Sequence, residues 1–173
     1  MLLEDFAAGT DVYGVFTGYS AVNGDYDYEV TVLVDGKEVT YNSDKNYNGL
    51  QAKTEGVYKL KFDGSGALSN NIGASEKVSA GSVKETTYKA IYVSDAAIKK
   101  NGNTLEQTIS GSAMDVYSLD KDFVVYEWNT DDNCYKKGNI RDIVNAKAGE
   151  KITVMMFDVY DDDQAYDIVL WHK

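Results

Sequence analysis

Residues 149–171, GEKITVMMFDVYDDDQAYDIVLW, decide the fold because they predict two strands separated by an acidic turn. Apolar side chains recur at every second position on one face, at Ile152, Val154 and Met156 and then at Tyr166, Ile168 and Leu170. The other face carries Thr153, Met155, Phe157, Val169 and Trp171. Since both faces have apolar surface to bury, the pattern predicts a hairpin in the centre of a sheet or at the closure of a barrel.

A second hairpin is predicted in the first half of the chain. Tyr28–Val34 alternates apolar and polar positions, Asp35-Gly36 follows directly, and residues 37–41 resume the alternation. An Asp-Gly pair between two such runs is a strong local signal for a tight hairpin turn. The first half of the chain is therefore predicted to be β-sheet as well.

Shorter patterns predict the remaining elements. Alternation from Asp11 onwards and in 57–62, 86–93 and Thr104–Ile109 indicates further strands. Residues 116–119 and 123–128 are predicted to be a pair of strands joined by a turn at Asp120-Lys121-Asp122. Short helical turns are predicted within 42–53, 94–100 and 138–148, the last with Ile140, Ile143 and Val144 on one face.

Composition agrees with an all-β fold and excludes several classes of function. The chain has no proline, 14 tyrosines and 15 glycines, which favours twisted strands joined by Gly, Asn and Asp turns. Its net charge of -11 argues against nucleic acid or anionic lipid as a partner. The single cysteine, Cys134, excludes an intramolecular disulfide and a Cys-based zinc cluster. No apolar run approaches membrane length, so no membrane insertion is expected, and residues 1–9 do not read as a signal peptide.

We predict an all-β protein of two small barrel-like or sandwich-like units, with a few short helical turns as covers. The first unit is placed at 1–75 and the second at 76–173, because residues 70–81 are small, polar and weakly patterned. The two units are expected to pack closely, and one continuous domain is the alternative.

The spacing of strands and turns resembles that of the β-modules in S-layer-type surface proteins of Gram-positive anaerobes, which also carry S-layer homology domains. In the first half the likeness rests on Tyr28–Val34, Asp35-Gly36-Lys37, Tyr41 and the Gly-strand-Asp-Gly segment at 56–64. In the second half it rests on residues 124–126, 140–143, 148–154 and 166–169. The resemblance spans most of 11–171 and includes no catalytic signature. It implies a secreted, extracellular module at the cell surface, with cell-wall or surface-protein neighbours and polysaccharide as partners.

The residues that could carry catalysis are few. His172 is the only histidine, which makes a Ser-His-Asp or Cys-His site a poor fit. Cys134 follows Asp131 and Asp132, whereas a reactive thiolate needs a basic neighbour. A pair of carboxylates could still serve a hydrolase, although no pair among the 28 acids is singled out. We therefore predict that the protein is not an enzyme, and we assign no catalytic residue and no cofactor.

Two acidic clusters raise the question of calcium. Asp158, Asp161, Asp162, Asp163 and Asp167 lie in one hairpin, and Asp131, Asp132 and Asn133 form a second cluster. Oxygen ligands at a turn suit Ca²⁺, but the first run lacks the Gly and Glu positions of an EF-hand loop. Acidic hairpin tips that keep the protein soluble are the default explanation of both clusters, so we assign no metal ligand. Gly64-Ser65-Gly66 is interpreted as a hairpin turn and not as a phosphate loop, because strands flank it on both sides.

Three functions remain after these exclusions. The first is a non-enzymatic structural or adhesive module of a bacterial cell-surface protein. The second is a carbohydrate-binding module that displays Trp128 and several tyrosines, although the same side chains are also ordinary filling for a β-barrel. The third is a carboxylate-dependent hydrolase, which would need two acids facing each other in a cleft.

Overall fold

Strands make up most of the structure, a computed structural model that describes residues 11–43, 56–68, 76–78, 83–89, 97–109, 112–145, 151–160 and 165–172. The predicted all-β fold is confirmed, and one of the two sheets is curled into a half-barrel. Contacts between backbones divide the chain into two units, Met1–Val78 and Ser79–Lys173. This division falls just after Glu76 and Lys77, which pair with a strand of the first unit.

The described strands of the first unit form one antiparallel sheet in the order β3-β2-β1-β4-β5. They are β1 Tyr13–Ala21, β2 Tyr28–Val34, β3 Lys37–Ser43, β4 Tyr58–Lys59 and β5 Glu76–Lys77. The predicted hairpin at β2 and β3 is confirmed, with Val34 opposite Lys37. Asp35 and Gly36 turn the chain with φ angles of 52° and 78°, as a two-residue hairpin turn of this twist requires.

The sheet of the first unit closes around an apolar core through Leu68. This residue forms one bridge with Ser43 at the end of β3 and another with Phe62, which follows β4. It thereby links the end of β3 to the segment that follows β4. The core that they surround consists of Val12, Phe16, Val30, Val32, Val34, Val39, Tyr41, Tyr58, Leu60 and Leu68.

The second unit has a sheet in the order β6-β11-β12-β9-β8-β7, and β10 pairs with β9 beside β8. Its elements are β6 Val83–Lys89, β7 Ala97–Asn101, β8 Thr104–Ile109, β9 Ser112–Asn129, β10 Cys134–Lys137, α1 Ile140–Val144, β11 Lys151–Phe157 and β12 Tyr166–His172. The β12–β9 pair is parallel, and the other described pairs are antiparallel. The buried core contains Leu105, Leu119, Val125, Ile143, Val154, Met156, Val169 and Trp171.

The predicted hairpin of β11 and β12 is confirmed, and it lies inside the sheet with β6 on one side and β9 on the other. The predicted grouping of its two faces is wrong by one residue. Val154 pairs with Trp171, and Met156 with Val169, so these four side chains share the core face. A shift of one residue in the register moves every side chain of a strand to the other face. The register between β11 and β12 is set by the length of the turn that joins them, and the alternation of apolar residues does not determine that length.

The predicted pair of strands at 116–119 and 123–128 is also wrong, because both lie in the continuous strand β9. Along the neighbouring β12, Tyr166 pairs with Leu119 and Ile168 pairs with Val124, so β9 carries extra residues at this point. Asp120, Lys121 and Asp122 therefore lie in a β-bulge, where the Asp122 N–H donates to the Asp120 carboxylate at 3.1 Å. Bulges and turns contain the same kinds of polar residue, which is why this bulge was predicted to be a turn.

One helix is present among the described residues. The helix predicted within 138–148 is confirmed as α1, capped by Asn139, whose side chain accepts from the Arg141 N–H at 2.9 Å. The helical turn predicted at 94–100 is wrong for residues 97–100, which pair with β8 as part of β7. Pairing along a whole strand outweighs the modest helix preference of alanine and lysine. Most of the turn predicted at 42–53 lies outside the described residues.

Candidate functional site

The tip of the β9–β10 hairpin is shaped by two asparagines. The Asn129 side chain accepts hydrogen bonds from the backbone N–H groups of Asp131 and Asp132, at 2.9 and 3.0 Å. Asn133 then reverses the chain with a φ of 50°, a left-handed conformation that asparagine tolerates better than most residues. Residues 129–133 therefore form a turn held by its own side chains.

Trp128 is positioned by the strand that follows this turn. It lies directly opposite Tyr135 across the β9–β10 pair, and the two ring centroids are 5.1 Å apart at an angle of 77°. Tyr135 is buried, whereas Trp128 is half-buried. This edge-to-face packing is a favourable aromatic geometry, so Tyr135 restrains the indole while part of Trp128 stays open to solvent.

A cleft of about 230 Å³ opens beside Trp128 and is the candidate site. We call it the Trp128 cleft, and it is lined by Glu127, Trp128, Asn129, Thr130, Asp131 and Lys136. Its volume is below the range of roughly 300–1,000 Å³ that is typical of small-molecule pockets, so it has room for a small group such as one sugar ring. Two acids, an amide and a hydroxyl are among the lining residues beside Trp128, and most of the exposed lining is polar, so the cleft suits a group that presents several hydroxyls.

The charges around the Trp128 cleft are unbalanced. Lys136 forms an ion pair with Asp132 at 3.5 Å, but both side chains are about half exposed, so this pair contributes little to stability. Glu127 and Asp131 line the cleft beside it without an equal number of cations. The site is therefore acidic, and it disfavours an anionic ligand.

The structure gives the acidic hairpin between β11 and β12 a definite structural role. Asp167 is buried, and one of its carboxylate oxygens accepts from the backbone N–H groups of Val159 and Tyr160, at 2.9 and 3.2 Å. Asp167 thus holds the chain as it leaves β11. Asp161, Asp162 and Asp163 of the first acidic cluster lie outside the described residues. Within the described ranges, no three His, Cys, Asp or Glu side chains converge to hold a metal ion.

Asp63 closes the turn that was predicted at Gly64-Ser65-Gly66. Its carboxylate accepts from the Ser65 N–H at 2.8 Å, the Ser65 hydroxyl at 2.7 Å and the Ala67 N–H at 3.1 Å. These hydrogen bonds, led by that from the Ser65 hydroxyl, hold the pKa of the Asp63 carboxyl below its ordinary value. The segment is thus a tight turn whose N–H groups already have an acceptor.

The other residues singled out from the sequence are dispersed. Cys134 is buried at the start of β10, and His172 ends β12 opposite Thr153. Trp128, which was expected to be either a ligand platform or filling, is half-buried, packs against Tyr135 and lines the cleft. Sequence reasoning missed Tyr135 and Lys136, because no strand was predicted after the tip. The short polar turn at 130–133 could have indicated these residues, because a short turn after a strand favours a second strand that pairs with the first.

Comparisons with protein-family models, with curated protein sequences and with solved structures find no match to this chain. The part of the chain that the structure describes contains no helix long and apolar enough to cross a membrane. Function must therefore be inferred from the two β-sheets and from the Trp128 cleft.

Proposed function

We propose that the protein is a non-enzymatic structural or adhesive module of a bacterial cell-surface, S-layer-like protein. The observation that carries this proposal is that each unit has its own buried core of strands, while carboxylates such as Asp63 and Asp167 hold turns together. Such a chain is suited to act as a stable acidic spacer between neighbours. Its partners would be cell-wall components or other surface proteins.

Labelling of intact cells tests the location. An antibody against the purified protein should stain intact cells of the source organism, and brief protease treatment of those cells should remove the signal. Staining that requires permeabilised cells would refute the surface assignment. Adhesion is tested separately, by sedimentation of the purified protein with isolated cell walls, since a structural module is expected to co-sediment with its neighbours.

Carbohydrate binding is a second candidate function, and the Trp128 cleft favours it. The acidic lining predicts preference for neutral or amine-bearing sugars over anionic polysaccharides. On a glycan array, Trp128→Ala should bind roughly tenfold more weakly, which corresponds to about 1.4 kcal/mol. Trp128→Phe should lose less, because it keeps an aromatic face.

Tyr160→Ala is the matched control, since Tyr160 is an exposed aromatic residue of the same unit outside the cleft. Glycan binding that falls equally in Trp128→Ala and Tyr160→Ala would dismiss the cleft as the sugar site.

Mass spectrometry of the bound glycan tests the third candidate function, a carboxylate-dependent hydrolase, in the same experiment. If the glycan is cleaved, and the cleavage is lost in Glu127→Gln or Asp131→Asn, the protein would be a hydrolase and not a carbohydrate-binding module.

A further inference from the structure

The first and last described strands of the second unit run in the same direction within one sheet. β6 is antiparallel to β11, and β11 is antiparallel to β12, so β6 and β12 point the same way on either side of β11. The registers also align their ends. Val83 at the start of β6 is level with Phe157 and Ile168, and Thr87 is level with Thr153 and His172.

This alignment determines how the sheet responds when the chain is stretched. A pulling force enters β6 before Val83 and leaves β12 after His172, which lie at opposite ends of the aligned strands. The two strands are therefore pulled in opposite directions along their own axes. Hydrogen bonds between antiparallel strands are perpendicular to the strands, so a force along the axis loads all of them together and not one after another.

We propose that the second unit is a load-bearing module that resists extension of the chain through shear of the β6–β11 pair. This inference rests on the proposed structural role and specifies what that role is. The β6–β11 ladder contains seven register pairs, from Lys151 with Lys89 to Phe157 with Val83. These pairs must slide as a group before β6 can leave the sheet.

β12, at the other end of the force path, is bonded to the sheet more strongly than β6. β12 has five register pairs with β11 and another five with β9, so it is bonded along both edges. Ile168, Val169, Leu170 and Trp171 are all buried, so pulling β12 out would also expose apolar side chains to water. Rupture should therefore begin at β6, which pairs with β11 alone among the described strands.

The first unit provides an internal comparison. Its β1 and β5 also point the same way on either side of one strand, β4. Each of those ladders has only two register pairs in the described residues, Tyr13 with Lys59 and Gly14 with Tyr58 on one side of β4. The first unit should therefore yield at a lower force than the second.

Single-molecule force spectroscopy on the full chain tests the proposal by changing only the direction of loading. In one geometry, handles at the two termini shear β6 along β11. In the other, the N-terminal handle is kept and the second handle is attached at Tyr160→Cys, just beyond β11, where Tyr160 is exposed. Force then acts on Val83 and Phe157, which form one register pair, and peels the ladder open pair by pair. Cys134→Ala is included in both proteins, so that the handle attaches at one position only.

We expect a rupture force several times higher in the terminal geometry than in the Tyr160 geometry. The length of chain released, about 3.3–3.6 Å per residue, identifies which unit has opened. Equal rupture forces in the two geometries would overturn the proposal, as would a second unit that opens before the first when the chain is pulled from its termini. The Tyr160→Cys protein pulled from its termini shows whether the substitution itself weakens the sheet.

This experiment is independent of the cell-labelling test. Strong shear resistance in a protein that is absent from the cell surface would refute the surface role and leave the mechanical property standing. A surface protein with equal forces in both geometries would keep its location and lose the load-bearing role.

Discussion

Tyr41 is a residue whose polar atom conflicts with its position. The side chain is 6% exposed in the core of the first unit, and its hydroxyl makes no hydrogen bond within the described residues. The ring packs on Phe62, with centroids 5.1 Å apart. Tyr41 therefore acts as a large apolar residue that carries an unneeded hydroxyl, which costs free energy to bury.

We predict that Tyr41→Phe leaves the free energy of unfolding unchanged or raises it by roughly 1 kcal/mol at neutral pH. Burial also raises the pKa of Tyr41 above its ordinary value of about 10. A raised pKa in the folded state means that stability is intact below about pH 10 and falls as the pH rises further. The Tyr41→Phe protein should lose less stability in that alkaline range, as measured by urea unfolding followed by circular dichroism.

Tyr19→Phe is the control, because Tyr19 is 49% exposed. It should leave the free energy of unfolding at neutral pH close to that of the parent protein. A Tyr41→Phe protein that is clearly less stable at neutral pH would show that the hydroxyl has a bonding partner after all.

For the Asp63 carboxyl we predict that stability is lost at acid pH and not at alkaline pH. Because hydrogen bonds lower its pKa in the folded state, its contribution is present above the unfolded value of about 3.9 and is lost as the pH falls through the folded pKa. Asp63→Asn keeps an acceptor oxygen but removes the titration. Its melting temperature should fall less steeply between neutral pH and about pH 3 than that of the parent. Asp25→Asn, an exposed loop change, is the matched control for the loss of one surface carboxylate.

At the scale of the element, β1 contains two glycines with different surroundings. A Cβ at Gly14 would overlap Val32 Cγ1 and lie 3.1 Å from the Leu33 carbonyl oxygen, whereas a Cβ at Gly18 would meet nothing within 4 Å. β1 therefore approaches β2 too closely at Gly14 for any larger residue. The same strand has open space a few residues further on.

We predict that Gly14→Ala destabilises the first unit by about 1–3 kcal/mol, the usual cost of overpacking a core. Gly18→Ala should be neutral or slightly stabilising, because alanine restricts the unfolded chain more than glycine does. Denaturant unfolding of both proteins measures the difference. If the two substitutions had equal effects, the close approach of β1 to β2 at Gly14 would be refuted.

The elements that could be predicted from the sequence are those in which local chemistry agrees with tertiary pairing. Asp35-Gly36 dictates its hairpin because both residues accept the positive φ angles that the turn needs. Asp120-Lys121-Asp122 has equally turn-like chemistry, yet β12 pairs with β9 on both sides of it and keeps the strand continuous. Such pairing joins residues far apart in sequence, and no local pattern contains it.

The Trp128 cleft could be predicted only in part. Trp128 and Asp131 were visible as an aromatic residue and an acid near a polar tip, but nothing indicated that they would share a cleft. That depends on β10, which returns beside β9 and brings Lys136 opposite Glu127. This register supplies Lys136, the one cation among the residues that line the cleft.

At the scale of the whole molecule, the two cores have no residue in common. One is built from residues between Val12 and Leu68, and the other from residues between Leu105 and Trp171. Both tryptophans of the chain, Trp128 and Trp171, belong to the second unit. Tryptophan fluorescence therefore reports the unfolding of the second unit alone, while far-ultraviolet circular dichroism reports both.

We predict two separable unfolding transitions. Phe16→Ala should lower the stability of the first unit by about 3–5 kcal/mol, and Met156→Ala that of the second by about 2–5 kcal/mol, because both side chains are fully buried. Only Met156→Ala should shift the fluorescence transition. A single transition that both substitutions shift by equal amounts would show that the chain unfolds as one cooperative domain.

The position of β12 has a consequence for synthesis of the protein on the ribosome. β12 follows the other described strands of the second unit in chain order, yet it lies between β11 and β9. Until it has emerged, the nascent chain holds two partial sheets whose facing edges lack their common neighbour, and such edges pair readily with other chains. A ribosome that stalls before Tyr166 would release an aggregation-prone product, although the described strands of the first unit would already be complete.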